Sequence, residues 1–336
     1  MLDYGAEPNA ISKDGNPMIA RAIAAQRLDI LSALLDKGAD PNLQNQKNSK
    51  SSPMLLRAIN TKNLDMVNAL LDKGANPDAL DIEGNPILLK AIDTFDINII
   101  NALLDKGANP NSLNKDNKHI LFSALELQRS DVIRSFLDRG ANPNVLDIKG
   151  NPILLTAINM ESVDIVSTLL EKGANPNIVS KDGIPVLFSA INIQNLAITK
   201  LLIDKNADVE ITDKNNNTAL DILLELRGKV DIVSLLIENA KDPEQAINTA
   251  VSLRNSGGET LLHLAAQQGN SEVFNKYLDY YLDKPKENIN IIDKAGYTPL
   301  YWSKLLGHTE ISNILTKRAE ELKGVAYTKI TEIEHF

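Results

Sequence analysis

Along most of the chain, apolar residues fall into two short groups per polar turn. The stretch Leu64-Asp65-Met66-Val67-Asn68-Ala69-Leu70-Leu71 spaces its apolar side chains as a helix does, which predicts one buried stripe. A shorter apolar segment precedes each such stretch and carries alanine at one fixed place: Ala22, Ala58, Ala91, Ala124, Ala157, Ala190 and Ala265. Each second segment runs into a phrase close to K-G-A-N-P-N. There Gly38, Gly74, Gly107, Gly140 and Gly173 end the helix, because glycine enters the left-handed region without a Cβ clash. The proline that follows stops any continuation.

The pattern has a period. The residue that opens the first segment falls at Pro17, Pro53, Pro86, His119, Pro152, Pro185 and Thr218, at spacings of 36 and then five times 33. Two further copies, at Thr260 and Thr298, follow after 42 and 38 residues. Two short helices per unit make a flat layer that cannot bury its apolar face alone, so the units are expected to stack into a solenoid. The fixed alanine lets neighbouring layers approach closely.

The segments GETLLHLAAQQGNSEV (258–273) and GYTPLYWSKLLGHTEISNIL (296–315) resemble ankyrin repeats, with Thr260, Leu262, His263, Ala265 and Gly269 on the signature positions. The resemblance covers nine units. It implies an all-α solenoid of stacked helix–turn–helix units with projecting turns, and it implies structural hydrogen bonding for His263 and His308. The first six units depart from the signature. Its Thr is Pro or His, and the Gly between the helices becomes Gln26, Lys62, Phe95, Gln128, Glu161 and Gln194. Proline in the first helical turn is favourable because its missing N–H has no partner there.

The expected organisation follows. Residues 1–12 read as the tail of an incomplete upstream repeat, 13–238 as seven repeats, 239–257 as an inserted connection, 258–315 as two further repeats, and 316–336 as a C-terminal cap or tail. Residues 44–52 form an enlarged polar turn, QAINTAVSL within the insertion can extend a helix, and 280–293 lengthen the next connection.

Composition narrows the chemistry. The 336 residues hold no cysteine, which removes disulfides, thiol nucleophiles and Cys-ligated metals. A formal charge of −9 argues against wrapping nucleic acid, and the three cations Arg21, Arg57 and Lys90 make no continuous track. There is no membrane-spanning run, phosphate-binding loop or H-E-x-x-H motif. The Asp and Asn residues around 105–117 lack the spacing of a calcium loop and read as turn formers. No metal or cofactor is expected.

What remains is surface. Two columns at the end of the first helices vary from unit to unit beside the repeated frame, and the family resemblance places them on the concave side. The candidate partner-binding residues are the apolar Leu127, Met160, Ile193 and Leu226, bordered by Asp93, Glu126, Asn159 and Asn192. An exposed apolar strip with a polar rim suits a protein groove, and the alternative is half-buried packing. The turn tips, Ile82, Glu83, Lys115, Asp116, Ile148 and Lys149 among them, read as a mostly polar edge. The expected function is a non-catalytic, monomeric interaction scaffold for a protein partner. The alternative is the targeting module of a larger enzyme. Abundant Asn, Ile, Lys and Asp resemble ankyrin-repeat proteins that intracellular bacteria deliver into host cells, so the expected location is cytoplasmic or host-delivered.

Overall fold

The computed structural model describes residues 7–45, 47, 51–282 and 289–321. The chain divides into two compact units, 1–175 and 176–336. Leu2 and Tyr4, the centre of the 44–52 turn, much of the 280–293 connection and the end of the C-terminal cap lie outside the described residues.

The described residues of unit 1 form five helix pairs. The first helices are α1 (Met18–Ala24), α3 (Met54–Asn60), α5 (Ile87–Asp93), α7 (Ile120–Glu126) and α9 (Ile153–Asn159). The second helices are α2 (Leu28–Asp36), α4 (Leu64–Asp72), α6 (Ile97–Asp105), α8 (Ser130–Asp138) and α10 (Val163–Glu171). First helices pack on first helices and second on second, layer by layer. Ala58, Ala91, Ala124 and Ala157 are fully buried where they do so. The stripe foreseen on α4 is buried through Met66, Val67, Leu70 and Leu71.

Unit 2 contains α11 (Val186–Asn192) with α12 (Leu196–Asp204), α13 (Ala219–Glu225) with α14 (Val230–Glu238), α16 (Leu261–Gln268) with α17 (Ser271–Leu282), and α18 (Pro299–Leu305) with α19 (Thr309–Glu321). The insertion forms a helix of its own, α15 (Pro243–Ser252), rather than an extension of a neighbour. Asp242 caps it by accepting from the Gln245 amide, and Pro243 occupies its first turn.

Local chemistry explains the unit. Gly107, at φ +89°, ends α6 in a Schellman turn: its N–H donates to the Leu104 carbonyl and the Ala108 N–H to that of Leu103. Ala108 is 3% exposed beneath the turn, which accounts for the alanine that follows Gly38, Gly74, Gly107, Gly140 and Gly173. The prolines differ from expectation. Pro17, Pro53, Pro86, Pro152 and Pro185 precede the first helical turn as N-caps. Pro86 faces Leu80 across an isolated antiparallel bridge whose bonds run instead through Ile87 N to Ala79 O and Asp81 N to Asn85 O. The bridge therefore needs no N–H from Pro86.

Two ladders join successive layers. The last Asn of each K-G-A-N-P-N phrase clips the next repeat: the Asn111 amide donates to the Gly140 carbonyl at 2.9 Å and accepts from the Asn142 N–H at 2.8 Å. Asn42 and Asn144 do the same within unit 1, and Asn177 within unit 2. The acid before the phrase pairs with the Lys or Arg of the following repeat, Asp36 with Lys73 at 2.8 Å, Asp72 with Lys106 at 2.7 Å, Asp105 with Arg139 at 2.7 Å, and Asp138 with Lys172.

Candidate functional site

Each first helix ends in a tight turn that fixes the two variable columns. One column is the last helical residue and the other is its C-cap. In the first seven repeats the residue after the C-cap takes the left-handed conformation, with φ from +51° to +62° at Gln26, Lys62, Phe95, Gln128, Glu161, Gln194 and Arg227. The non-glycine residues thus reproduce the geometry that Gly269 and Gly307 supply, at an intrinsic cost of roughly 1–2 kcal/mol each. The turn is held by bonds such as Gln128 N–H to Leu125 O.

In unit 1 this places Asp93, Glu126 and Asn159 in solvent at the ends of α5, α7 and α9, while the C-caps Leu127 and Met160 are half-buried. Asp93 lies 3.6 Å from Lys90, and Glu126 accepts from Lys118 at 2.5 Å. In unit 2 Asn192 is exposed, Ile193 is half-buried and Leu226 is 44% exposed. The apolar column thus has a buried flank that packs and an open flank that faces solvent. Each unit presents its own part of the set.

Some surface apolar residues escaped the sequence reading, Phe95 among them at 65% exposure, whereas Ile82 and Ile148, placed at the turn tips from the sequence, are 62% and 70% exposed there. Leu80, Leu113 and Leu146, which lead into the third, fourth and fifth repeats of unit 1, also face solvent from the bridge position. Their recurrence at 33-residue intervals ahead of a polar turn was the available signal. Arg21 is exposed and Arg57 and Lys90 are half-buried, the last drawn to Asp93.

The histidines serve the frame. His263 is fully buried; its Nδ1 faces the Thr260 N–H and hydroxyl at 3.2 and 2.9 Å, and Nε2 meets the Tyr297 carbonyl at 3.1 Å. Burial pushes its pKa down, so it is neutral at pH 7. His308 Nε2 lies 3.0 Å from the Gln267 carbonyl. His119 takes the place of a proline and buries an Nδ1 with no hydrogen-bond partner. The buried carboxylate of Glu259 receives Arg227 at 2.6 Å, Asn255 at 2.7 Å and Gln267 at 2.8 Å. Burial opposes its ionisation, but these donors hold its pKa below the usual carboxylate range. No group of three or more His, Asp or Glu side chains is placed to hold a metal among the described residues. Nor is any described helix long and apolar enough to cross a membrane.

A helical-repeat solenoid with small buried residues between layers and variable residues at its helix ends defines the class of repeat proteins used for macromolecular recognition. The family model for ankyrin repeats (3 copies) matches residues 55–147, 88–180 and 153–247, and the chain belongs to the ankyrin-repeat family. Ankyrin repeats mark it as a protein–protein interaction module. It is 63% identical over 119 residues to a "Putative ankyrin repeat protein" of Rickettsia bellii (strain RML369-C), a match covering 35% of this chain and 18% of the relative. A protein of the same description from Rickettsia felis (strain ATCC VR-1525 / URRWXCal2) is 62% identical over 121 residues, covering 35% of this chain and 28% of the relative. The matched stretch therefore spans less than a third of either relative. Among solved structures, the ankyrin repeat domain of Bcl-3 aligns with 62% of this chain and 95% of its own, at 27% identity and TM-score 0.50. An ankyrin repeat domain from Acinetobacter baumannii AYE aligns with 56% of this chain and 98% of its own, at 27% identity and TM-score 0.50.

Proposed function

We propose that the chain is a non-catalytic, monomeric scaffold that holds a partner protein on the ends of its first helices. The contact residues are Asp93, Glu126, Leu127, Asn159 and Met160 in unit 1, and Asn192, Ile193 and Leu226 in unit 2. One observation carries the reading: buried alanines recur at Ala58, Ala91, Ala124, Ala157 and Ala190, two or three residues before exposed or half-buried helix-end residues whose size and charge change along the stack. A fixed frame beside a varied surface lets one architecture address a specific partner. Half-exposed aliphatic C-caps beside exposed carboxylates and amides have the composition of an interface, with an apolar centre and polar border. The Rickettsia relatives, from a genus of intracellular bacteria, support a bacterial protein that acts on a host protein, with the host cytoplasm as its place of action. The test is Met160→Glu, measured for melting and for retention of partners cross-linked to the wild-type chain. Lost capture with an unchanged melt is expected. Full capture, or a collapse of the melt, overturns the assignment.

A further inference from the structure

The inter-helix turns of the third, fourth and fifth repeats differ in charge from those that precede them. In the first two repeats the turn residues balance: Arg27 pairs with Asp29, and Lys62 precedes Asp65. In the next three, six carboxylates, Asp93, Asp96, Glu126, Asp131, Glu161 and Asp164, face three cations, Lys90, Lys118 and Arg129. Lys90 and Lys118 answer Asp93 and Glu126, and Arg129 pairs with Asp131 at 2.5 Å. Glu161 and Asp164 are exposed, and neither has an ion-pair partner among the described residues.

Apolar groups lie on this same edge. Phe95 projects from the third turn with 65% exposure, Val163 from the fifth with 37%, and the half-buried Leu127 and Met160 belong to the turns themselves. Neighbouring turns are tied together, since the Arg129 guanidinium donates to the Phe95 carbonyl at 3.2 Å. The edge is therefore an acidic border around separated apolar anchors. An acidic or neutral segment would meet repulsion or leave these carboxylates uncompensated, whereas a basic segment supplies the missing countercharge. Aromatic side chains such as Phe95 contribute large contact area at an interface.

Resting on the reading that these helix ends hold a protein, we infer that the partner offers a basic segment with large apolar side chains. It seats against Phe95, Leu127 and Met160, with Glu161 and Asp164 taking its cations. Phe95 is then a specificity-determining residue of the interface.

The experiment pans a random 12-residue peptide library on the full chain and measures the selected peptides by anisotropy. Expected are peptides of net positive charge with at least two large apolar residues, whose affinity falls as salt rises. Phe95→Gly is the key variant, because glycine adopts the +62° φ freely and the fold is retained or strengthened. Affinity should fall at least tenfold in Phe95→Gly, and likewise in Glu161→Gln/Asp164→Asn, with melting temperatures not lowered. Neutral or acidic peptides, undiminished binding to Phe95→Gly, or no enrichment above background overturns the inference. Peptides lost by Met160→Glu but kept by Phe95→Gly, without positive charge, leave the scaffold reading standing and this inference refuted. Peptides insensitive to both variants refute both.

Discussion

The asparagine clip between layers allows a prediction of opposite sign at two equivalent positions. Asn111 both donates to Gly140 O and accepts from Asn142 N–H. Asp78 occupies the same place one repeat earlier; it accepts from the Asn109 N–H at 2.7 Å, but a carboxylate has no donor for the Gly107 carbonyl. Each such bond contributes roughly 0.5–1.5 kcal/mol net, with the low end expected at the surface. Asn111→Ala should therefore destabilise by about 1–2 kcal/mol, and Asn111→Asp by about 0.5–1 kcal/mol, since it loses only the donor. Asp78→Asn should stabilise by about 0.5–1 kcal/mol by gaining it. Urea unfolding at constant slope measures all three. Amide exchange localises the effect: the Asn142 N–H should lose protection in Asn111→Ala and keep it in Asn111→Asp. Midpoints that move in the same direction for Asn111→Asp and Asp78→Asn would refute the clip as the bond between layers.

Ala124 is fully buried between layers, so Ala124→Leu should overpack them and cost about 1–3 kcal/mol in urea unfolding. Gln128→Gly, at φ +55°, should raise stability by up to about 1 kcal/mol, the relief of left-handed strain exceeding the entropy gained by the unfolded chain. Acid should weaken the fold with a definite sign. The Lys172 hydrogen bond holds Asp138, and backbone amides hold Asp213, below the ordinary carboxylate pKa. Their contribution is thus present above the unfolded value of about 4 and is lost as pH falls through the lower folded values. A pH series of melts from 7 to 2 should show that decline, and the portion due to the Asp–Lys ladder should shrink in high salt.

Much of the frame was legible because its signals are local and repeated. Gly107 and Ala108 announce a helix end, Ala124 a close contact, and the Met66–Leu71 stripe a buried face, each from its own few neighbours. The ladders were not legible in the same way. Asn109 closes its own turn by accepting from the Asn111 N–H, whereas Asn111 reaches the next repeat, and both look like turn formers. The partner of Asp105 lies 34 residues on, at Arg139, so nothing in the local text identifies it. Of the candidate surface, the columns through Asp93 and Leu127 could be found by aligning repeats. The exposure of Phe95 could not: its replacement of a signature glycine was visible, but the direction of its side chain follows from the left-handed turn. Ile82 and Ile148 were legible as turn tips, but with their charged neighbours they read as part of a polar edge.

The central claim, that the varied helix ends bind a protein while the frame beneath them only supports it, is tested most directly at Met160. Affinity of the isolated partner for wild type and Met160→Glu should be measured by titration, beside the melting temperature of each chain. A charge placed on a half-buried apolar anchor should weaken binding by about 2 kcal/mol or more, near thirtyfold, with the melt little changed. Equal affinity in the two chains would contradict the account.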